Sequence, residues 1–184
     1  MPNSTRPPLT APSLVGRHLY LRPAAAEDIT ATNHWIALSE PQSLLVGTAP
    51  IETSSAAAES FKKGDPAGRS IFMLVRRDDN MPVAQVMYFN VNHQNRSAEF
   101  MVVVDPDLRR KGYASDGIHL LCGYLFDQRG FNKVYTQVAQ CNHAAVGLLE
   151  KIGFKRDGTL RQHFYFGGEY HNALVFSLLR FEFV

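Results

Sequence analysis

The chain has 184 residues, 45% of them hydrophobic, and a formal net charge of +2 at pH 7. That is enough apolar material for one full core, and too little excess positive charge for a protein relying on a wide basic face to hold nucleic acid. No apolar run has membrane-spanning length. The two cysteines, Cys122 and Cys141, lack metal-ligand spacing and are too few for a disulfide framework, so both are expected as buried free thiols in a reducing, cytoplasmic setting.

Residues 1–13, rich in Pro and small polar residues with no hydrophobic core, are expected to be a flexible tail and not a signal peptide. Residues 14–184 read as one domain. "HLYLRPA" suits a first strand. "AEDITATNHWIAL" has helical spacing at Ile29, Asn33, Ile36 and Ala37 and acidic residues in its first turn. Residues 39–52, with Pro41, Gly47 and Pro50, predict a loop, and "ETSSAAAESFKKG" predicts a second helix ended by Gly64. "SIFMLVRR" and "VAQVMYFNVN" form a hairpin through "DDNMP". "SAEFMVVVD" follows as a strand whose continuous apolar run implies burial on both faces. After it come a helix from about Ala114 to Arg129 stopped by Gly130, the strand "KVYTQVAQ", and the short helix "HAAVGLLEKIGF". A last hairpin turns at Gly167-Gly168. The order β-α-α-β-β-β-α-β-α-β-β gives a mixed sheet: antiparallel hairpins, then a strand–helix–strand crossover that makes a parallel pair.

The stretch "DPDLRRKGYAS" places Arg109, Arg110 and Lys111 before Gly112, Tyr113, Ala114 and Ser115, between a strand and a helix start. Such a turn suits an anion: the first helical N–H groups have no intrahelical partner, and the helix dipole favours negative charge there. Gly112 lets a ligand oxygen approach the backbone with φ unrestricted, Ala114 is small for the same reason, and Arg109 can make a bidentate phosphate contact. The spacing fits neither the P-loop nor the dinucleotide glycine motif. A basic turn that merely keeps the surface soluble is the plainer reading of the same residues.

Arg-x-x-Gly-x-Ala in this setting resembles the pyrophosphate-binding motif of the GNAT N-acetyltransferases. "LYLRPAAAEDI", "CNHAAVGLLEKIGF" and "GEYHNALVFSL" resemble that family's first strand and helix start, its Asn-led helix, and its last strand. The likeness covers roughly residues 15–183 and is nearest to the ribosomal-protein alanine and spermidine-type acetyltransferases. It implies a GNAT fold of the α/β (α+β) kind: a mixed, mostly antiparallel sheet of about seven strands with a splayed parallel pair and about four helices. It also implies acetyl-CoA as donor, a small-molecule or peptidyl amine as acceptor, and a possible homodimer; no nucleic acid or membrane partner is expected from the near-balanced charge and the lack of a long apolar run, and no metal is expected.

Three chemical demands follow from direct attack of an amine on a thioester. The ammonium must lose a proton, the carbonyl oxygen needs an N–H donor, and the leaving thiolate needs a proton. The resemblance assigns the oxyanion and pantetheine contacts to main-chain groups of Val102, Val103 and Val104. It assigns further cofactor contacts to the basic turn, Asn142 and Lys151. Asn142 is equally suited to cap its helix. Glu99 is the candidate base, directly or through water; a solvated glutamate at a sheet edge is the alternative. The family's usual thiolate acids are absent, since Leu149 and Ala145 occupy their positions. Tyr113, Tyr165, Tyr170 or water could substitute, the thiolate could leave unassisted, or the chain could be a non-catalytic acyl-CoA-binding module. His163 and His171 lack a third metal ligand at convincing spacing.

Overall fold

A computed structural model describes residues 14–39, 53–64 and 69–184. The expected N-terminal tail and nearly all of the expected loop at 39–52 lie outside the described residues. The strands are β1 (Leu19–Pro23), β2 (Ser70–Arg76), β3 (Pro82–Asn92), β4 (Ser97–Val104), β5 (Lys133–Ala139), β6 (Lys155–Phe166) and β7 (Glu169–Leu179). The helices are α1 (Ala26–Ser39), α2 (Ser54–Lys63), α3 (Tyr113–Gly123) and α4 (His143–Lys151). The described strands form one sheet in the order β1-β2-β3-β4-β5-β7-β6, with β4 and β5 parallel and the other neighbours antiparallel.

Both faces of β4 are covered, as its unbroken apolar run requires. Ala98, Phe100, Val102 and Val104 belong to a core shared with Ile118, Leu121, Cys122 and Leu125 of the α3 segment and Leu149 of α4. Met101 and Val103, of opposite parity, pack with Tyr20, Met73, Val75 and Trp35 of α1. The sheet is thus the middle layer of three.

Helix α1 seats on the sheet with a partly polar face. Its buried residues are Ile29, Thr32, Trp35 and Ser39, while Asn33 and Ile36 are only half-buried. The stripe expected from apolar spacing is therefore rotated, because Thr32 and Ser39 find partners inside. Gln85 Nε2 donates to Thr32 Oγ1 at 2.5 Å, and Ser39 Oγ donates to the Trp35 carbonyl at 2.6 Å. The Arg22 guanidinium grips Asp28 with two bonds of 2.6 and 2.7 Å and ties β1 to the start of α1.

The helix expected from Ala114 to Arg129 begins at Tyr113 and loses its α-helical register after Gly123. Tyr124–Gln128 forms a wider π-type turn, with Arg129 N donating to the Tyr124 carbonyl at 3.2 Å. Gly130, at φ +68°, then ends it. The last hairpin is not a plain ladder. β6 slips register against β7 between Arg156 and Gly158 and again between Leu160 and Phe164. The two expected buried thiols also differ: Cys122 is buried in α3, whereas Cys141 is exposed, because it lies past the end of β5 in the turn before α4.

Candidate active site

Strands β4 and β5 pair only at Ser97↔Lys133, Ala98↔Val134 and Glu99↔Tyr135. Beyond that point the register ends and the strands diverge, with β5 continuing on β7 up to Ala139↔Ala173. The far end of β4 stays on β3, from Met87↔Met101 to Ala84↔Val104. Asp105 N donates to the Val83 carbonyl at 3.0 Å, which makes Ala84 and Val104 a non-hydrogen-bonded pair of the antiparallel ladder. By alternation, Phe100, Val102 and Val104 carry their N–H and C=O groups toward the fork, while Val103 turns its main chain to β3. Of the three valines, two offer main-chain groups to the opening. The third contributes its side chain to the α1 face.

The basic turn closes the wide end of the fork. Arg110 and Gly112 both hold left-handed backbone, at φ +62° and +87°. A Cβ on Gly112 would meet nothing within 4 Å, so it is the conformation rather than crowding by the protein that calls for glycine there. Gly112 is also the N-cap of α3 and has no side chain to cap with. The first α3 ladder bond runs from Asp116 N to the Gly112 carbonyl at 3.1 Å, so the N–H groups of Tyr113, Ala114 and Ser115 precede the ladder. Arg110 and Lys111 are exposed. Arg109 is engaged instead: its Nη2 donates to Ser39 Oγ at 2.6 Å and pins the turn to the end of α1. Tyr113 opens α3 and packs on the main core.

Asn142 is the N-cap of α4, its Oδ1 accepting from Ala145 N at 3.1 Å. The capping role is therefore real, and it places Asn142 on the β5 side of the fork. Lys151 is exposed in the last turn of α4, next to Leu149, which is 3% exposed in the core. Tyr165 and Tyr170 pack against each other with tilted rings near the tip of the β6–β7 hairpin, 64% and 65% exposed. His171 stacks on Phe166 with ring centroids 3.8 Å apart. Among the described residues no three His, Cys, Asp or Glu side chains gather as metal ligands.

Glu99 lies at the vertex of the fork, on the last paired position of a central strand, and is 8% exposed. It is not a solvated edge residue. Asn90 Nδ2 donates to its Oε2 at 2.8 Å. Burial pushes its proton affinity above the ordinary glutamate range, while the Asn90 bond and the charge of His163 pull part of the way back. Tyr135, its partner in register, has its own affinity raised by burial and by the Glu99 charge, so it stays a neutral phenol. Asn90, Tyr135 and His163 are the members of this cluster that sequence reasoning missed or read otherwise. A β3–β4 bulge, a strand register and a bulge in β6 bring them there, and none of these has a short-range signal.

A forked parallel pair beside an uncapped helix start is what the sequence resemblance implied, and the comparisons decide the family. Residues 18–155 match the Acetyltransferase (GNAT) domain. The chain belongs to this family. Among relatives of this GNAT chain, the spermidine N(1)-acetyltransferase of Escherichia coli K12 is 28% identical over 106 residues, covering 58% of this chain and 57% of that protein. The putative ribosomal N-acetyltransferase YdaF of Bacillus subtilis is 27% identical over 104 residues, covering 56% and 57%. The matched stretches thus span under three fifths of these relatives' length. A crystal structure of spermidine N-acetyltransferase from Vibrio cholerae, in complex with CoA and spermine, aligns over 90% of this chain and 98% of that one. Its TM-score is 0.81 and its identity 25%.

Proposed function

We propose that this GNAT domain is an acetyl-CoA-dependent N-acetyltransferase that moves the acetyl group directly to a primary amine, in the cytoplasm. The observation that carries the reading is the fork itself. It places main-chain donors of β4, an uncapped helix start and a buried carboxylate around one opening.

Pyrophosphate would sit on the N–H groups of Tyr113, Ala114 and Ser115, with Arg110 and Lys111 adding charge from outside. Val102 and Val104 would line the pantetheine and supply the N–H that meets charge developing on the thioester oxygen. Asn142 and Lys151 would border the cofactor from α4. Arg109 would act as a strut between the clamp and α1 while it is bonded to Ser39. Glu99, with its raised proton affinity, is suited to take a proton from an alkylammonium, directly or through water, and its charge would attract that cation. The nitrogen lone pair then forms the new C–N bond, the C–S bond breaks, and the thiolate takes up a proton. With Leu149 in the core and Tyr165 and Tyr170 at the hairpin tip, Tyr135 beside Glu99 and Tyr113 at the α3 start are the candidate phenols for this proton. We infer no acid from α4.

The acceptor class follows from the carboxylate and from the relatives: a small cationic amine, spermidine and spermine first. Mass spectrometry of acetylated products from a panel of spermidine, spermine, an amino-sugar and an alanyl peptide tests this. Amine-dependent acetylation of a polyamine is the expected result. Product only on the peptide would move the acceptor to a protein terminus, and no product with any amine would contradict the enzymatic reading. Mass detection avoids the background that the exposed Cys141 would give with thiol reagents.

A further inference from the structure

We propose that Asn90 is a positioning residue for Glu99: a one-residue bulge in β3 turns its amide onto the carboxylate, fixing the orientation of Glu99 and favouring its charged form. This role rests on Glu99 acting as the base, and it is argued from the backbone. The β3–β4 ladder runs regularly to Phe89↔Glu99 and resumes at Asn92↔Ser97. Three steps along β3 therefore answer two along β4, so β3 carries one extra residue there. In an unbroken ladder Asn90 would lie opposite Ala98, on the α3–α4 face, away from Glu99. Instead Asn90 adopts φ +48°, a left-handed conformation that Asn tolerates better than most residues, and its Nδ2 reaches Glu99 Oε2 at 2.8 Å. Bulges of this kind re-aim side chains beside active sites.

The chemistry of the bond fixes its direction. An amide N–H donates to a carboxylate better than to a carboxylic acid, so it opposes the desolvation of Glu99. Because the bond occupies Oε2, the acceptor would be met by Oε1. The titratable groups that act on Glu99 from neighbouring elements are Tyr135 of β5 and His163 of β6. Tyr135 is neutral across the relevant range. His163 is exposed and acts at a distance, so Asn90 makes the direct contact.

Glycine accepts φ +48° freely, so Asn90→Gly removes the donor while keeping the bulge. In protein labelled with 13C at the glutamate side-chain carboxyl, the Glu99 resonance is assigned by its loss in Glu99→Gln and followed by NMR against pH. Asn90→Gly is expected to move its titration upward by about one pH unit. Asn90→Asp, which places a second carboxylate there, is expected to move it further still. With an acetylated amine in hand, the acidic limb of kcat/KM should move by the same amount in Asn90→Gly. A Glu99 titration that coincides in wild type and Asn90→Gly would overturn the proposal. The NMR titration needs no turnover, so it stands apart from failure of the enzymatic reading.

Discussion

Glu99 carries two opposite consequences of one environment. As the proposed base it would work only when deprotonated, and its raised affinity would bring the acidic loss of activity to a higher pH than for an ordinary glutamate. Glu99→Gln is expected to lower kcat/KM by about 10²–10⁴-fold and to abolish that acidic limb, while acetyl-CoA affinity stays near wild type. Its effect on stability has the other sign. A carboxyl whose folded-state affinity is raised binds its proton more readily in the fold than in the unfolded chain. Stability is therefore lost as pH rises from the ordinary carboxylate range through the folded-state pKa. Glu99→Gln should unfold at a higher temperature than wild type at pH 7, and the gap should close below about pH 4. Lower stability of the variant at pH 7 would show that the Asn90 bond outweighs burial. The thiols give an independent check at this scale. Burial pushes Cys122 up to about 12, so iodoacetamide at pH 8 should label Cys141 in the native protein and reach Cys122 only after denaturation. Rapid labelling of both in the native state would contradict the packing of α3.

At the scale of elements, the strands and helices were legible in chain order because period-2 and period-3.6 patterns are local and their stop signals are Gly and Pro. Gly64, Gly130 and Gly153 end helices as expected, each with positive φ. What was not legible depends on residues far apart in sequence. The rotated face of α1 reads as polar because Thr32 and Ser39 are satisfied by Gln85 and Arg109, 53 and 70 residues away. Thr32→Val should leave the Gln85 amide, 1% exposed, without its partner and cost about 1–3 kcal/mol. Thermal unfolding should fall by roughly 2–4 °C for each kcal/mol lost. Adding Gln85→Leu should recover much of that, and a double variant no more stable than Thr32→Val alone would deny the pairing. The candidate site was legible to the same extent: the basic turn lies in six adjacent residues, but the Asn90 bulge and the Glu99↔Tyr135 vertex depend on register, which no short stretch encodes.

In the whole molecule, the fork is the joint between two halves of the sheet. One half, β1 to β4, is held by antiparallel ladders and roofed by α1; the other, β5 to β7, carries the long hairpin and α4. Three residue pairs of parallel ladder join them at Glu99 and below, and the α3 segment bridges the fork from the main core. In the proposed binding mode a cofactor in the fork would rest mainly on main chain of β4 and of the α3 start, so Leu149 and Ala145, at the positions of the family's usual acids, would bear on the proton chemistry and not on those contacts. The clamp is the most exacting part. Its left-handed Gly112 is the N-cap of α3 with nothing near the missing Cβ, so a side chain there would strain the backbone, and a carboxylate there would repel the phosphates in the proposed binding mode. Isothermal titration of acetyl-CoA into the wild-type protein and into Gly112→Glu tests this directly. Saturable binding at one site per chain is expected in wild type, lost in Gly112→Glu while its circular dichroism stays native. No binding by wild type at millimolar acetyl-CoA, or undiminished affinity in Gly112→Glu, would contradict it.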